Sequence, residues 1–215
     1  MKKIELVDLV RANIDSLDKT RKIHPVVIEH EISAIYNDMI VSLYAGGIVD
    51  MNHYARKYGL SSLTKVDVDY NSYTKEYYSL LPEEVIPLPD TNAGIVEILS
   101  KESMSLVFVP MTRSEFKFIE NLECRQIDEV IGYTLYAGQG GEYGRVVYNG
   151  MTSAIASAGV VMSLLIPFHA YNDNDTVYLP SGQEQKVIDT VLQRLGLIPA
   201  PDLINNNSDA KRVRQ

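Results

Sequence analysis

The chain has 215 residues, 46% of them hydrophobic and 22% charged, with net charge −8, a single Cys124 and no tryptophan. That length supports one large domain or two small ones and buries about 70–75% of the unfolded surface, which excludes wholesale disorder. One cysteine excludes an intrachain disulfide framework, charges inside the apolar N-terminal run argue against a signal peptide, and residues 154–168, closed by Pro167, fall short of the ~20 apolar residues of a membrane span, so a soluble protein of a reducing compartment is expected.

Ile4, Val7, Val10, Ile14 and Leu17 recur every three or four positions and predict an amphipathic helix, ended by the charged residues 18–22. Pro25 suits the first turn of a second helix, with His24 as its entry residue. Ile28, Ile32, Ile35, Met39 and Leu43 mark that helix's apolar face, and Gly46 with Gly47 supplies the stop. The two make a helical hairpin. Residues 51–58 read as another short helix, ended by Gly59.

Beyond Ser61 the period changes. Val66, Val68 and Tyr70 alternate with Asp67 and Asp69, as in a half-buried strand. Residues 73–80 and 85–88 read as strands about a turn at 81–84, with Pro87 and Pro89 confining the second to an edge or a strand end. Residues 90–94 form a turn, 95–99 and 106–109 look extended, and 113–122 hold one helical excursion through Phe116 and Ile119. Residues 130–136 and 143–148 flank a glycine-rich hairpin tip at 137–142. The apolar run 159–168 suits a buried strand, and 175–179 is a further short one. Ser181 with Glu184 spells a capping box ahead of an amphipathic helix through Val187, Ile188, Val191, Leu192 and Leu195, stopped by Gly196.

The expected fold is α+β. An N-terminal helical region (1–60) leads into a central, mostly antiparallel β body (61–180), a C-terminal amphipathic helix (181–198) and an extended tail (199–215), all in one structural unit. An α/β alternation is disfavoured because residues 62–112 lack the helices it needs.

Charge is distributed unevenly. Residues 1–60 balance, with 8 basic and 8 acidic side chains; residues 61–150 carry 7 and 14, a net −7; residues 151–215 carry 5 and 6. An acidic middle repels phosphate backbones and argues against a surface that grips nucleic acid. Lys211, Arg212 and Arg214 form the one basic cluster, either a solvated end or an arm that docks on an acidic partner or lies near nucleic acid.

No residue pattern specifies chemistry. Gly138, Gly140 and Gly141 are followed by Glu142 and Tyr143 rather than the Lys and Ser or Thr of a phosphate loop, so a hairpin tip is expected. His24 and His30 would point about 120° apart on a helix, and His30-Glu31 lacks the second histidine of a zincin. Cys124 has no family signature around it, and the adjacent pairs Glu83–Glu84 and Asp128–Glu129 diverge in helix or strand. No catalytic, cofactor or metal-binding residue is therefore assigned. Tyrosine is enriched, at 14 against 4 phenylalanines, with Tyr70, Tyr73, Tyr77 and Tyr78 in one cluster and Tyr133, Tyr136, Tyr143 and Tyr148 in another. Strand preference explains each singly, and an interface explains the set.

One resemblance adds a function. Ile23-His24-Pro25 with Ile28, Glu29, Ile32, Ile35 and Tyr36, then Tyr77-Tyr78, Leu81-Pro82, Leu88-Pro89 and Gly94-Ile95, is similar to the head–tail connector (ring or adaptor) proteins of short-tailed crAss-like phages of Bacteroides. There a helical hairpin opens the chain and a YY-x-x-LP-x-x-x-x-x-LP strand pair precedes a Gly-Ile strand; the likeness covers roughly residues 20–115. The resemblance implies a virion structural protein with no enzymatic activity, made in the host cytoplasm. It implies a homo-oligomeric ring, typically of twelve copies, docked beneath the portal protein, in contact with other ring or tail proteins and continuing the DNA channel into the tail. It further implies helices packed between neighbouring subunits, a β body facing outward or toward the tail, and a terminal extension reaching the portal. An acidic channel wall would let packaged DNA pass without sticking. No cofactor, metal or membrane is implied, and Lys211, Arg212 and Arg214 would supply partner contacts. Two other readings stand beside it. One is a phage binding module whose β body recognises a glycan or peptide, with tyrosines lining an open groove. The other is a hydrolase in which His53 or His169 meets Cys124 or a carboxylate in a pocket.

Overall fold

A computed structural model of the chain describes residues 1–47, 50–60, 66–88, 94–103, 106–120, 130–138, 143–180 and 182–198. The period-3.6 segments fold as their spacing requires. Helix α1 (Lys3–Leu17) buries Leu6, Val7, Val10 and Ile14, and the Glu5 carboxylate accepts the Lys2 backbone N–H at 2.8 Å. Ile4 and Leu17, expected on this inner face, lie at its margins and stay exposed, while Lys3 and Leu6 turn inward instead. Helix α2 (Pro25–Gly46) opens with the Val26 N–H donating to His24 Nδ1 at 3.3 Å and closes at Gly47 in the left-handed conformation. Its inner face carries Ile28, Ile32, Ile35, Tyr36 and Ile40; Met39 and Leu43 are only half-buried.

Residues 51–58 do not form the expected helix. Asp50 caps a single 3₁₀ turn at Met51–His53, and the chain then extends into strand β1 (Arg56–Tyr58). Met51, Tyr54 and Tyr58 are buried as a helical stripe would bury them, but β1 is drawn out by antiparallel pairing with β8 (Val160–Leu164). Strand β4 (Ile95–Ser100) pairs with the other edge of β8, giving a three-stranded sheet in the order β1-β8-β4. All five residues of β8 are buried, so its sequence reads as an unbroken apolar run rather than an alternation.

The second sheet has the order β2-β3-β7-β6-β5, built from β2 (Asp69–Asn71), β3 (Glu76–Leu80), β5 (Val107–Pro110), β6 (Val130–Ala137) and β7 (Gly144–Asn149). Every pair is antiparallel except β5 with β6, which are parallel and joined through helix α3 (Arg113–Glu120). A parallel pair needs such a crossover. Thr112 and Glu115 start α3 with a reciprocal capping box: Thr112 N–H donates to Glu115 Oε2 at 2.7 Å and Glu115 N–H to Thr112 Oγ1 at 3.3 Å. Helix α4 (Ser153–Ala158), capped by Thr152, leads into β8, and helix α5 (Glu184–Arg194) follows the sheets. The mixed helices and mostly antiparallel sheets make the fold α+β, as the sequence implied.

Three local expectations fail for identifiable reasons. Residues 85–88 are extended with Ile86 and Leu88 buried, but no ladder forms; Ile86 N–H donates to Leu165 O at 2.8 Å, and Pro87 has no donor to offer. Residues 175–179 form no strand, because what faces them is the short lead into α1: a bridge joins Lys2 to Thr176, and Val177 N–H donates to Met1 O at 2.9 Å. Helix α5 takes Gln183 as its N-cap with no side-chain cap, so Glu184 stands at its first position rather than its third; Ser181 lies outside the described residues.

Helices α1, α2 and α5 pack mutually, and α2 also meets a 3₁₀ turn at Phe168–Ala170 just beyond β8. Tyr36, nearly inaccessible, stands 6.1 Å from the Phe168 ring and edge-on to Tyr171 at 6.3 Å. The inner faces of both sheets, through Ile131, Val146, Tyr148, Ile98 and Met162, belong to the same buried cluster.

Candidate interaction surfaces

The register of β3, β7 and β6 sorts the tyrosines. Tyr77, Tyr148 and Tyr133 stand in one row across the second sheet and point inward. Tyr148 Oη donates to Ser79 Oγ at 3.2 Å, and burial pushes its hydroxyl pKa far up. Tyr36, Tyr54, Tyr58 and Tyr171 are likewise buried, so strand and core preference accounts for half the set. One residue on, the side chains alternate outward: Tyr78 lies beside Val147, and Leu80 and Tyr136 flank Arg145. Tyr70, Tyr73, Tyr136, Tyr143 and Tyr178 are exposed.

Helix α3 covers one half of this outer face. A Cβ at Gly132 would lie 3.0 Å from the Phe116 ring and one at Gly150 2.5 Å from it, so these glycines let the ring lie against the backbone. The other half is an open depression of about 270 Å³ lined by Asn71, Glu76, Tyr78, Tyr136, Arg145 and Val147. The Arg145 guanidinium stacks 4.8 Å from the Tyr78 ring centroid, and Arg113 pairs with Glu76 Oε1 at 2.8 Å. Asn71 Oδ1 accepts the N–H groups of Tyr73 and Thr74 at 3.0 and 3.3 Å, which fixes its amide. Sequence spacing shows Tyr78 but not Arg145, because only strand register brings them together.

A different surface lies on the helical side. α2 and α5 leave a groove of about 350 Å³ with Ile35, Met39, Leu43 and Val187 in its lining, together with Asp38, Lys186 and Arg194. Arg194 spans the two helices, reaching Asp38 at 3.2 Å and Glu31 at 3.6 Å. Met39 and Leu43 are half-buried because they line this groove. Val26 and Val27 are exposed at the start of α2, and Ile4 and Leu9 on α1.

The histidines have different partners. His24 caps α2, His30 is open to solvent 3.9 Å from Glu31, and His53 packs its ring against Tyr54 and Tyr178. His169 does meet a carboxylate: its Nε2 lies 3.1 Å from Glu84 Oε2 and its Nδ1 3.3 Å from Ser33 Oγ. A neutral ring protonated on Nε2 satisfies both contacts, donating to Glu84 and accepting from Ser33. The set has the composition of a serine–histidine–acid triad, with Ser33, 7% exposed within α2, on the ring's Nδ1 and Glu84 on its Nε2. What the contact does is tie α2 to the segment after β3.

Arg56 on β1 fills the centre of a third cluster. Its guanidinium pairs with Asp175 at 2.8 Å and lies over the rings of Tyr58 and Tyr171. Burial pushes the Asp175 carboxyl up, but the Asn172 N–H groups and the Arg56 charge outweigh it, and the pKa is lowered.

Among the described residues no three histidine, cysteine, aspartate or glutamate side chains gather as a metal site, and no helix is long and apolar enough to cross a membrane. Cys124, the pair Asp128–Glu129, Gly140, Gly141 and the basic cluster Lys211, Arg212 and Arg214 lie outside the described residues. Compared with known proteins, the chain matches no family model and no curated protein sequence.

Proposed function

We propose that this chain is a virion structural protein, a ring-forming subunit of the head–tail connector that sits below the portal and continues the DNA channel into the tail. The observation that carries the reading is the presence of two chemically unlike exposed surfaces on different layers of one fold. One is the apolar-lined, ion-bridged groove of α2 and α5; the other is the aromatic face of the second sheet. A ring requires heterologous contacts, in which each subunit offers two different complementary patches, and an isologous patch yields only a closed pair. The helical layer supplies one patch and the β body the other. The net −7 of residues 61–150 supports a wall that conducts DNA rather than one that grips it. The family resemblance over residues 20–115 supports the same reading, with the portal and neighbouring tail proteins as partners.

The deciding experiment measures the mass of the purified chain and its presence in purified virions. Presence in the particle at a fixed ratio to the portal is expected; a monomer missing from particles refutes the proposal. Deleting residues 199–215, with Lys211, Arg212 and Arg214, leaves the fold intact and weakens incorporation; unchanged incorporation refutes the docking role of that segment.

A further inference from the structure

We propose that the groove between α2 and α5 receives Asp202, Leu203 and Ile204 of a second copy of this chain, so that each subunit's C-terminal segment is held by its neighbour. The inference rests on the connector reading and deepens it, naming what enters the helical patch.

The chemistry of the groove matches that segment. Ile35, Met39, Leu43 and Val187 give it an apolar lining, with Met39 and Leu43 only half-buried. Between Ile198 and Val213 the large apolar side chains are Leu203 and Ile204, adjacent to each other and directly after Asp202. At one end of the groove Arg194 is engaged by Glu31 and Asp38. At the other end Lys186 is exposed, and its ammonium has no ion-pair partner among the described residues. A carboxylate beside two apolar side chains thus meets a cation beside an apolar lining.

Length agrees. Along α5 the groove runs from Gln183 to Arg194, about 16 Å of helix at 1.5 Å per residue. An extended segment spans that in about five residues, so residues 199–204 suffice. Lys211, Arg212 and Arg214 then fall beyond the groove, where they can meet other partners.

The end of α5 decides between the chain's own groove and a neighbour's. Gly196, at φ +68°, donates its N–H to Gln193 O at 2.9 Å, and Leu197 N–H donates to Leu192 O at 2.9 Å, the two bonds of a Schellman turn. Leu192 is buried and stands two positions after the groove residue Thr190, about 200° round the helix from it. The turn therefore delivers Leu197 and Ile198, both half-buried against the core, to the side of α5 opposite the groove. To enter its own groove the segment must double back round the helix end past Arg194, whereas a neighbouring copy meets it directly. The exchange pairs a groove on one copy with a segment on the next, the heterologous kind of contact from which rings are built.

The test is disulfide trapping between two full-length chains, both carrying Cys124→Ser, one with Lys186→Cys and the other with Asp202→Cys. Oxidised together, they should form covalent dimer about tenfold faster than either chain oxidised alone, because docking raises the effective thiol concentration. Adding Leu203→Asp to the Asp202→Cys chain should slow trapping about tenfold, the loss expected for one buried leucine. Residue 203 lies beyond α5, so that variant should unfold thermally as its parent does. Dimer forming no faster in the mixture than in the single chains overturns the proposal, as does trapping indifferent to Leu203→Asp. A chain carrying both Lys186→Cys and Asp202→Cys that closes only on itself also overturns it, since the segment then occupies its own groove. Trapping is read on the purified chain and the connector reading on virions. A chain present in particles but not trapped refutes this inference alone; a trapped chain missing from particles refutes the connector reading alone.

Discussion

Replacing Lys3 with Met removes one charge from the interior while keeping the aliphatic stem. The side chain of Lys3 is 7% exposed; its Nζ donates to the Tyr171 carbonyl at 3.0 Å, pairs with Glu29 at 3.3 Å and stands 5.7 Å from the Phe168 ring centroid. These contacts are unequal. The Tyr171 carbonyl is left without its donor in a buried site, at a cost of about 1–3 kcal/mol. Glu29 is 35% exposed and can turn to water, so losing that pair costs no more than a surface ion pair, ~0.2–1 kcal/mol. Relief of the ammonium's own desolvation offsets part of both. The net loss is about 2 kcal/mol, which for a chain of this length lowers the melting temperature by about 4–8 °C.

A double-mutant cycle with Glu29→Gln separates the two contacts, with thermal unfolding as the readout. Lys3→Met and the double variant should melt close together, and the coupling between the sites should stay below ~1 kcal/mol. Hydrogen exchange at Val177, whose N–H donates to Met1 O, should quicken in Lys3→Met because the same turn of chain is released. A melting point unchanged within about 1 °C would show that the amine does not hold the carbonyl. A coupling above ~2 kcal/mol would show that the ion pair dominates and that the solvent discount is wrong.

Gly59→Ala is expected to destabilise sharply, because φ is +96° there and a Cβ would sit 2.3 Å from the Val160 carbonyl oxygen, backbone that cannot step aside. Gly182→Ala, at φ +78° in open space, should lose only the conformational strain of about 1–2 kcal/mol; equal melting shifts for the two variants would refute the contact argument. Asp175→Asn tests linkage. The folded carboxyl titrates below its ordinary value, so its stabilisation is complete above the unfolded pKa of about 4 and is lost as pH falls through the folded one. The variant should therefore melt below the parent at neutral pH and converge with it in acid; a difference independent of pH would refute the assignment.

What the sequence disclosed depended on whether a signal was local. The helical hairpin was legible because Val7, Val10 and Ile14 and then Ile28, Ile32 and Ile35 keep a 3.6 period, and Pro25 and Gly47 punctuate it. β8 was legible because a strand buried on both faces leaves a continuous run. β1 was not, since Met51, Tyr54 and Tyr58 fit a helix equally well and only β8, a hundred residues on, selects the strand. Lys3 gave no signal, because no local pattern discloses a carbonyl waiting at Tyr171. The same limit governs the candidate sites. Tyr78, Tyr136 and the half-buried Met39 and Leu43 were visible as residues, but Arg145 over Tyr78 and Ser33 beside His169 exist only through register and packing. Tyr77, Tyr133 and Tyr148 face the core and Tyr78 and Tyr136 the outer face by strand phase, while Tyr73 and Tyr143 lie outside strands and Tyr70 on the edge strand, none of which composition carries.

The polar ties between layers bear directly on the connector reading. In a closed ring, the angle between a subunit's two patches sets the rotation from one copy to the next, and a hinge between them would leave the copy number undefined. Here polar ties run from the helices to the segment beyond β8, within the helical layer, and to the segment that follows β3. Ser33 on α2 reaches Glu84, after β3, through His169; Lys3 on α1 reaches the Tyr171 carbonyl beyond β8; Arg56 on β1 holds Asp175, whose neighbours in turn hold the start of α1. Arg194 locks α5 onto α2 in the same way, beside the groove itself. Each tie is modest alone, and the exposed ones contribute little stability. In the proposed ring these ties would hold the helical layer against the first sheet and the end of β3, the part of the geometry on which a repeating heterologous contact would depend.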